Sequence, residues 1–131
     1  MGSLVDHVRS CLEQSELKFV EPEEGTFLVV FGLDEYAVRV FLVIDEERSR
    51  VEIYANTDPP TPVKGFERWL LEQNPGLSHV KYGCDPAGDL LISGEVWGDS
   101  INPDRLSSLI IFSATLARDF RERSHSESKS S

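Results

Sequence analysis

Cysteine, basic charge and long apolar runs are all scarce in this chain of 131 residues, and each shortage closes off a class of function. Cys11 and Cys84 are too few and too far apart in sequence for a disulfide scaffold, which agrees with a reducing compartment. Both are expected as buried free thiols. No apolar run approaches the roughly 20 residues needed to cross a bilayer, and no basic stretch leads into an apolar core near Met1. A cytoplasmic protein with neither membrane span nor secretory signal is expected. Lys and Arg total 13 against 23 Asp and Glu, a formal net charge of -10. Such a surface repels phosphate backbones, because nucleic-acid binding draws its non-specific affinity from cations that displace counterions. The imbalance is uneven: residues 1–104 carry -12 and residues 105–131 carry +2. An acidic body of this kind keeps a protein soluble and can also attract a basic partner protein.

Motifs that carry chemistry are missing as well. There is no Walker loop, dinucleotide-binding glycine fingerprint, paired zinc-type cysteine motif or nucleophile elbow. His7 and Cys11 stand one helical turn apart, but a structural zinc needs four ligands and no second pair is visible. Asp85 and Asp89 flank 86–88 without the acid ladder and terminal glutamate of a calcium loop. His79 has no Ser, Cys or acid at a diagnostic spacing. Trp69 and Trp97 suit core or interface anchors better than a cofactor box. No enzyme, metal or cofactor is expected.

What the chain does have is a β-rich centre. Residues 26–31, 36–44 and 50–55 are three strand-like runs separated by short polar breaks, the pattern of a meander. In the middle run Tyr36, Val38, Val40, Leu42 and Ile44 share one face at the strand period of two, while Ala37, Arg39, Phe41 and Val43 share the other. A strand apolar on both faces belongs inside a sheet, with helices or a second subunit covering what would otherwise meet water. In the third run Val51, Ile53 and Ala55 alternate with Arg50, Glu52 and Tyr54.

Helices flank this centre. Ser3 and Asp6 have capping-box-like spacing ahead of the stripe Leu4, Val5, Val8, Cys11 and Leu12, which predicts a helix over 4–15. Residues 17–20 are a short extended segment before a turn at 22–25. The three prolines in 56–62 make a crossover, and Thr61 with Pro62 reads as the cap and first turn of a helix over 62–74. Residues 77–83 and 89–97 form a second hairpin, and Asn102 with Pro103 starts a helix over 103–122. Residues 124–131 are serine-rich and charged, with nothing apolar to bury, and are expected to be a disordered tail behind a single domain over 1–123.

The resulting order, α-β-β-β-α-β-β-α, describes an α+β protein with an antiparallel sheet flanked by helices. Phe27 to Phe31 with Tyr36 to Ile44, the proline-rich entry to the helix with Trp69, and Trp97-Gly98 before Asn102-Pro103 give residues 3–122 a resemblance to type III secretion chaperones and the related YbjN family. That resemblance implies a cytoplasmic homodimer that uses no nucleotide, holding extended client segments as the chaperones do or regulating stress or sensory responses as YbjN relatives are described.

Two functions are therefore expected. One is a non-enzymatic, chaperone-like or adaptor module that binds a partner protein. The other is a regulatory domain sensing a small ligand between the sheet and the last helix. Phe66, Trp69 and Leu70 at neighbouring helical positions, with Tyr54 from the third run, are the expected dimer interface. Glu23, Glu24, Glu46 and Glu47 lie in connections around the meander and are expected to steer a basic partner, such as a protein that itself binds nucleic acid. The sheet edges are expected to offer backbone hydrogen bonds to an extended segment of that partner.

Overall fold

The computed structural model describes the backbone of residues 3–130 and the side chains of residues 3–127. Ser3 starts the first helix as expected, its Oγ accepting from Asp6 N at 3.0 Å, and α1 spans Leu4–Gln14 with Val8, Cys11 and Leu12 buried. Strands β1 (Val20–Glu23), β2 (Thr26–Gly32), β3 (Ala37–Asp45) and β4 (Arg50–Asp58) follow, then α2 (Glu67–Gln73), β5 (Val80–Cys84), β6 (Leu90–Trp97) and α3 (Pro103–Ser130). The six strands form one antiparallel sheet in the order β1-β2-β3-β4-β6-β5.

The strand period divides the sheet into two unlike faces. Phe27 and Val29, Val38, Val40 and Leu42, Val51, Ile53 and Ala55, Leu90, Ile92 and Val96, and Val80 and Tyr82 point one way, as the register of each pair requires. All are buried, and with Val8, Leu12, Leu106, Ile110, Ala117 and Phe120 from the helices they make the core. Burial of this apolar area, at about 25 cal/mol per Å2, is the main favourable contribution to folding. The helices lie on this side only.

Several elements depart from the expected bounds. The residues expected as a turn at 22–25 are partly β1, an added edge strand in which Pro22 is tolerated because no neighbour needs its missing amide. Thr61 does not cap a helix; α2 begins at Glu67 after Phe66, and Pro62 instead bridges to Asp89. The Thr61 side chain is buried, its Oγ1 2.6 Å from Thr57 Oγ1 and 3.3 Å from the Arg121 Nη1 donor. Tertiary polar contacts thus claim a residue whose local chemistry suits a cap. Cys11 is buried but Cys84, at the end of an edge strand, is exposed. Asn102 does cap α3, accepting from Arg105 N at 2.9 Å.

In place of the tail expected from 124, α3 continues to Ser130. Ser124 is buried with its Oγ donating to Arg121 O at 3.1 Å, and Arg123 pairs with Glu127 one turn on. The i, i+4 ion pair supports the extension past the last apolar residue. Ser131 lies outside the described residues.

Gly94 marks the tightest backbone approach in the sheet. A Cβ there would stand 2.1 Å from His79 O, and His79 itself is held at φ 70°, a conformation sparsely used by non-glycine residues. Gly94→Ala is therefore expected to lower unfolding free energy by about 2 kcal/mol or more in urea titrations. Gly32→Ala, with open space at its Cβ and no positive φ, is expected to stay within about 0.5 kcal/mol of the parent.

Candidate functional site

Because the helices gather on one side, the second face of the sheet is left without cover. Register places Leu28 beside Phe41, Phe41 beside Tyr54 and Tyr54 beside Ser93, in one row across β2, β3, β4 and β6. Val43, Val30 and Leu91 extend the apolar area in neighbouring rows, Val20 pairs with Leu28 at the β1 edge, and Trp97 pairs with Arg50 at the far side. Val20 is 58% exposed, Val30 51% and Trp97 58%, while Leu28, Phe41, Val43, Tyr54 and Leu91 are half-buried by their neighbours alone. The apolar row Val20, Leu28, Phe41 and Tyr54, continuous over β1 to β4, is the kind of patch that marks a contact surface.

Charged groups frame this face. Arg50 reaches Glu95 at 2.8 Å, Glu52 at 3.1 Å and Asp45 at 3.4 Å. Glu52 also accepts from the Tyr54 hydroxyl at 2.8 Å, and that bond, with burial and the Glu52 charge, raises the phenol above its ordinary value. Asp45 is held below the usual carboxylate range, first by the Arg48 amide and then by the Arg48 and Arg50 guanidinium groups, against burial. Two arginines, Arg48 and Arg50, facing the three carboxylates of Asp45, Glu52 and Glu95 leave this end of the face negative. At the other end Arg39 donates to Asn56 Oδ1 at 3.0 Å and lies 5.8 Å over the Phe41 ring.

The expected interface residues are divided between the two sides of the sheet. Tyr54 is on the uncovered face. Phe66, Trp69 and Leu70 are on the helical side, where Phe66 meets Phe120 edge-on at 5.5 Å and Trp69 lies 5.5 Å from Tyr82 and 6.0 Å from Phe120. Arg123 covers the Trp69 ring at 4.6 Å, and Leu70 is buried. Burial beside that cluster pushes Tyr82 up to about 12. Phe66 and Trp69 therefore hold α2 and the residue before it against Phe120 of α3 within one chain.

The four expected steering acids do come together. The β1–β2 turn and the β3–β4 turn lie at the same end of the sheet, joined by Ile44 N donating to Gly25 O at 2.8 Å. Glu23, Glu24 and Glu47 are exposed at that end of the sheet, with Glu23 on β1 separated from Glu95 on β6 by the strands between them. Glu46 has a different role: its two oxygens accept from Val5 N at 2.8 Å and Leu4 N at 3.1 Å, closing unpaired amides at the start of α1.

Both sheet edges are blunted. β1 is short, irregular between Val20 and Glu23, and contains Pro22. On β5 the Asn74 side chain takes the outward backbone groups of Tyr82, accepting from its N at 2.8 Å and donating to its O at 3.0 Å. These devices oppose strand addition, in contrast to the edge binding expected from the sequence. His7 and Cys11 adjoin at 3.8 Å, but His7 Nε2 is 2.9 Å from Ile101 O, and no group of three or more metal-ligating side chains gathers among the described residues. No helix among the described residues is long and apolar enough to cross a membrane.

Residues 4–126 match the YbjN family, described as "Putative bacterial sensory transduction regulator". No curated protein sequence matches the chain. Among solved structures, the "Crystal Structure of the ExsC-ExsE Complex" contains a chain of 15% identity with a TM-score of 0.64, covering 93% of this chain and 96% of that one. The "Structure of the HopA1-SchA Chaperone-Effector Complex" contains one of 21% identity with a TM-score of 0.64, covering 91% of each. The fold is that of type III secretion chaperones.

The split role of the acids is open to measurement. Glu46→Ala is expected to cost about 1 kcal/mol in urea unfolding through loss of a helix cap, whereas Glu47→Ala is expected to change stability by less than about 0.5 kcal/mol. Equal effects would show that the Glu46 contacts contribute nothing.

Proposed function

We propose that this chain, which belongs to the YbjN family, is a non-enzymatic module that binds a partner protein in a chaperone-like or adaptor role and does so as a homodimer. The observation that carries this reading is the row Leu28, Phe41 and Tyr54 on a sheet face that no helix covers. The fold shared with chains from a chaperone–effector complex supports a protein partner. Phe41 and Tyr54 stand opposite one another on β3 and β4, and aromatic side chains at the centre of a patch supply much of the energy of association. Two copies meeting through this face would exclude water from both rows.

The partner is a basic segment drawn to the acidic end of the same face. There Glu23, Glu24 and Glu47 are exposed in the turns at the end of the sheet that also carries the Arg50 cluster, and Trp97 offers an apolar anchor. Electrostatic steering of this kind raises association rates more than it raises affinity, and salt screens it. The chain works in the cytoplasm in this reading.

Light scattering at micromolar concentration is expected to give about twice 14.7 kDa, and Phe41→Glu to give a folded monomer. A clean monomer of the parent protein would remove the homodimer from the proposal.

Affinity purification is expected to return a stoichiometric basic protein. Glu23→Lys, Glu24→Lys and Glu47→Lys together are expected to slow its association about tenfold or more at low salt and flatten the salt dependence, with the melting temperature unchanged. An unchanged rate and salt slope would exclude steering by these turns.

A further inference from the structure

Arg121 is a buried arginine, only 9% exposed, with no direct ion pair among the described residues. Its Nη1 donates to two neutral acceptors, Pro59 O at 3.2 Å and Thr61 Oγ1 at 3.3 Å, and the guanidinium lies 4.8 Å over the Tyr36 ring. Nε and Nη2 have no acceptor among the described residues. These two groups are not sealed off among the described residues, so an acceptor entering from solvent can reach them.

The same residue lines a pocket of about 330 Å3 between the β2–β3 turn and α3, together with Glu35, Tyr36, Glu122, His125 and Ser126. Glu122 Oε1 accepts from the Tyr36 hydroxyl at 3.4 Å, and neither Glu122 nor Glu35 is in an ion pair among the described residues. The walls thus offer a forked donor set with unused N–H groups and, beside it, the carboxylates of Glu35 and Glu122, neither of them in a direct ion pair among the described residues and the second also within the field of the Arg118 guanidinium. A simple anion would be attracted by Arg121 and repelled by Glu35 and Glu122; a simple cation would meet the reverse. A small molecule carrying both charges satisfies both walls, and the volume falls in the range of small-ligand sites.

We propose that this pocket binds a free α-amino acid, its carboxylate accepting from Arg121 Nε and Nη2 and its ammonium donating to Glu35 and Glu122. The ligand side chain then has His125 and Ser126 as its neighbours. This site is separate from the uncovered sheet face, since it lies beyond the β2–β3 turn on the helical side, and it stands whether or not that face binds protein.

Amide spectra of the labelled full chain, recorded during titration with each standard L-amino acid and with acetate and methylamine as single-charge probes, test the assignment. At least one amino acid is expected to shift the Tyr36, Arg121 and His125 signals saturably below about 20 mM, with acetate and methylamine at least about tenfold weaker. Arg121→Lys loses the planar fork and is expected to weaken binding about tenfold. Glu122→Gln, an exposed change that leaves the fold intact, is expected to weaken the same amino acid about tenfold, and it decides the matter should Arg121→Lys fail to fold. No saturable shift with any amino acid, acetate binding as tightly as the best amino acid, or unchanged affinity in Glu122→Gln would each overturn the proposal.

Discussion

Everything in this molecule depends on how a six-stranded sheet is covered. Three helices gather on one side, so the burial that drives folding is asymmetric: Val40, Leu42, Ile53 and Ile92 are fully enclosed, while Phe41 and Tyr54, their neighbours in sequence or register, are only half-buried. Adjacent residues on one strand thereby serve different ends. One set holds the chain together, and the other is held in a flat, rigid row by the pairing that the first set secures. A contact surface built on a sheet loses little conformational freedom on binding, because its backbone is already fixed.

The helical side is arranged to keep its own aromatics occupied. Phe66, Trp69, Tyr82 and Phe120 close on one another, with Arg123 over Trp69, so the large rings of α2 are consumed in docking a short helix that has no side-chain cap of its own. Seven residues are too few to form a stable helix alone, and this cluster supplies what local propensity cannot. The charged groups divide in the same manner. Glu46 is tied to the start of α1, while Glu47 beside it remains in solvent.

Much of this was legible in the sequence, and the failures have physical causes. Periodicity gave the two-sided apolar character of 36–44, and turn and cap chemistry gave the hairpin over 77–97 and the helix starts at Ser3 and Asn102, because each is a local signal. Which face of the sheet the helices chose was not legible, since Phe41 and Leu42 look alike until tertiary packing separates them. Thr61 carried the chemistry of a cap but was recruited by Thr57 and Arg121, which no local pattern reveals. After residue 122 the helix goes on to Ser130 without apolar burial, with Arg123 paired to Glu127 one turn on, a spacing that the composition of the segment does not single out. Arg121 was passed over for a related reason: a lone arginine in a charged helix has nothing in sequence to mark it as buried.

The Asn74 amide lying against Tyr82 has a consequence for how copies of the chain can accumulate. Its carboxamide imitates the peptide group of a neighbouring strand, so the sheet ends there as if already paired, and the shortened, proline-bearing strand at the other margin resists extension as well. A sheet stopped at both margins cannot add copies side by side without limit, which is the route to fibres. Self-contact through a face is different, because two like faces that meet are both consumed. Both margins of the sheet, by contrast, are poor templates for the addition of further strands.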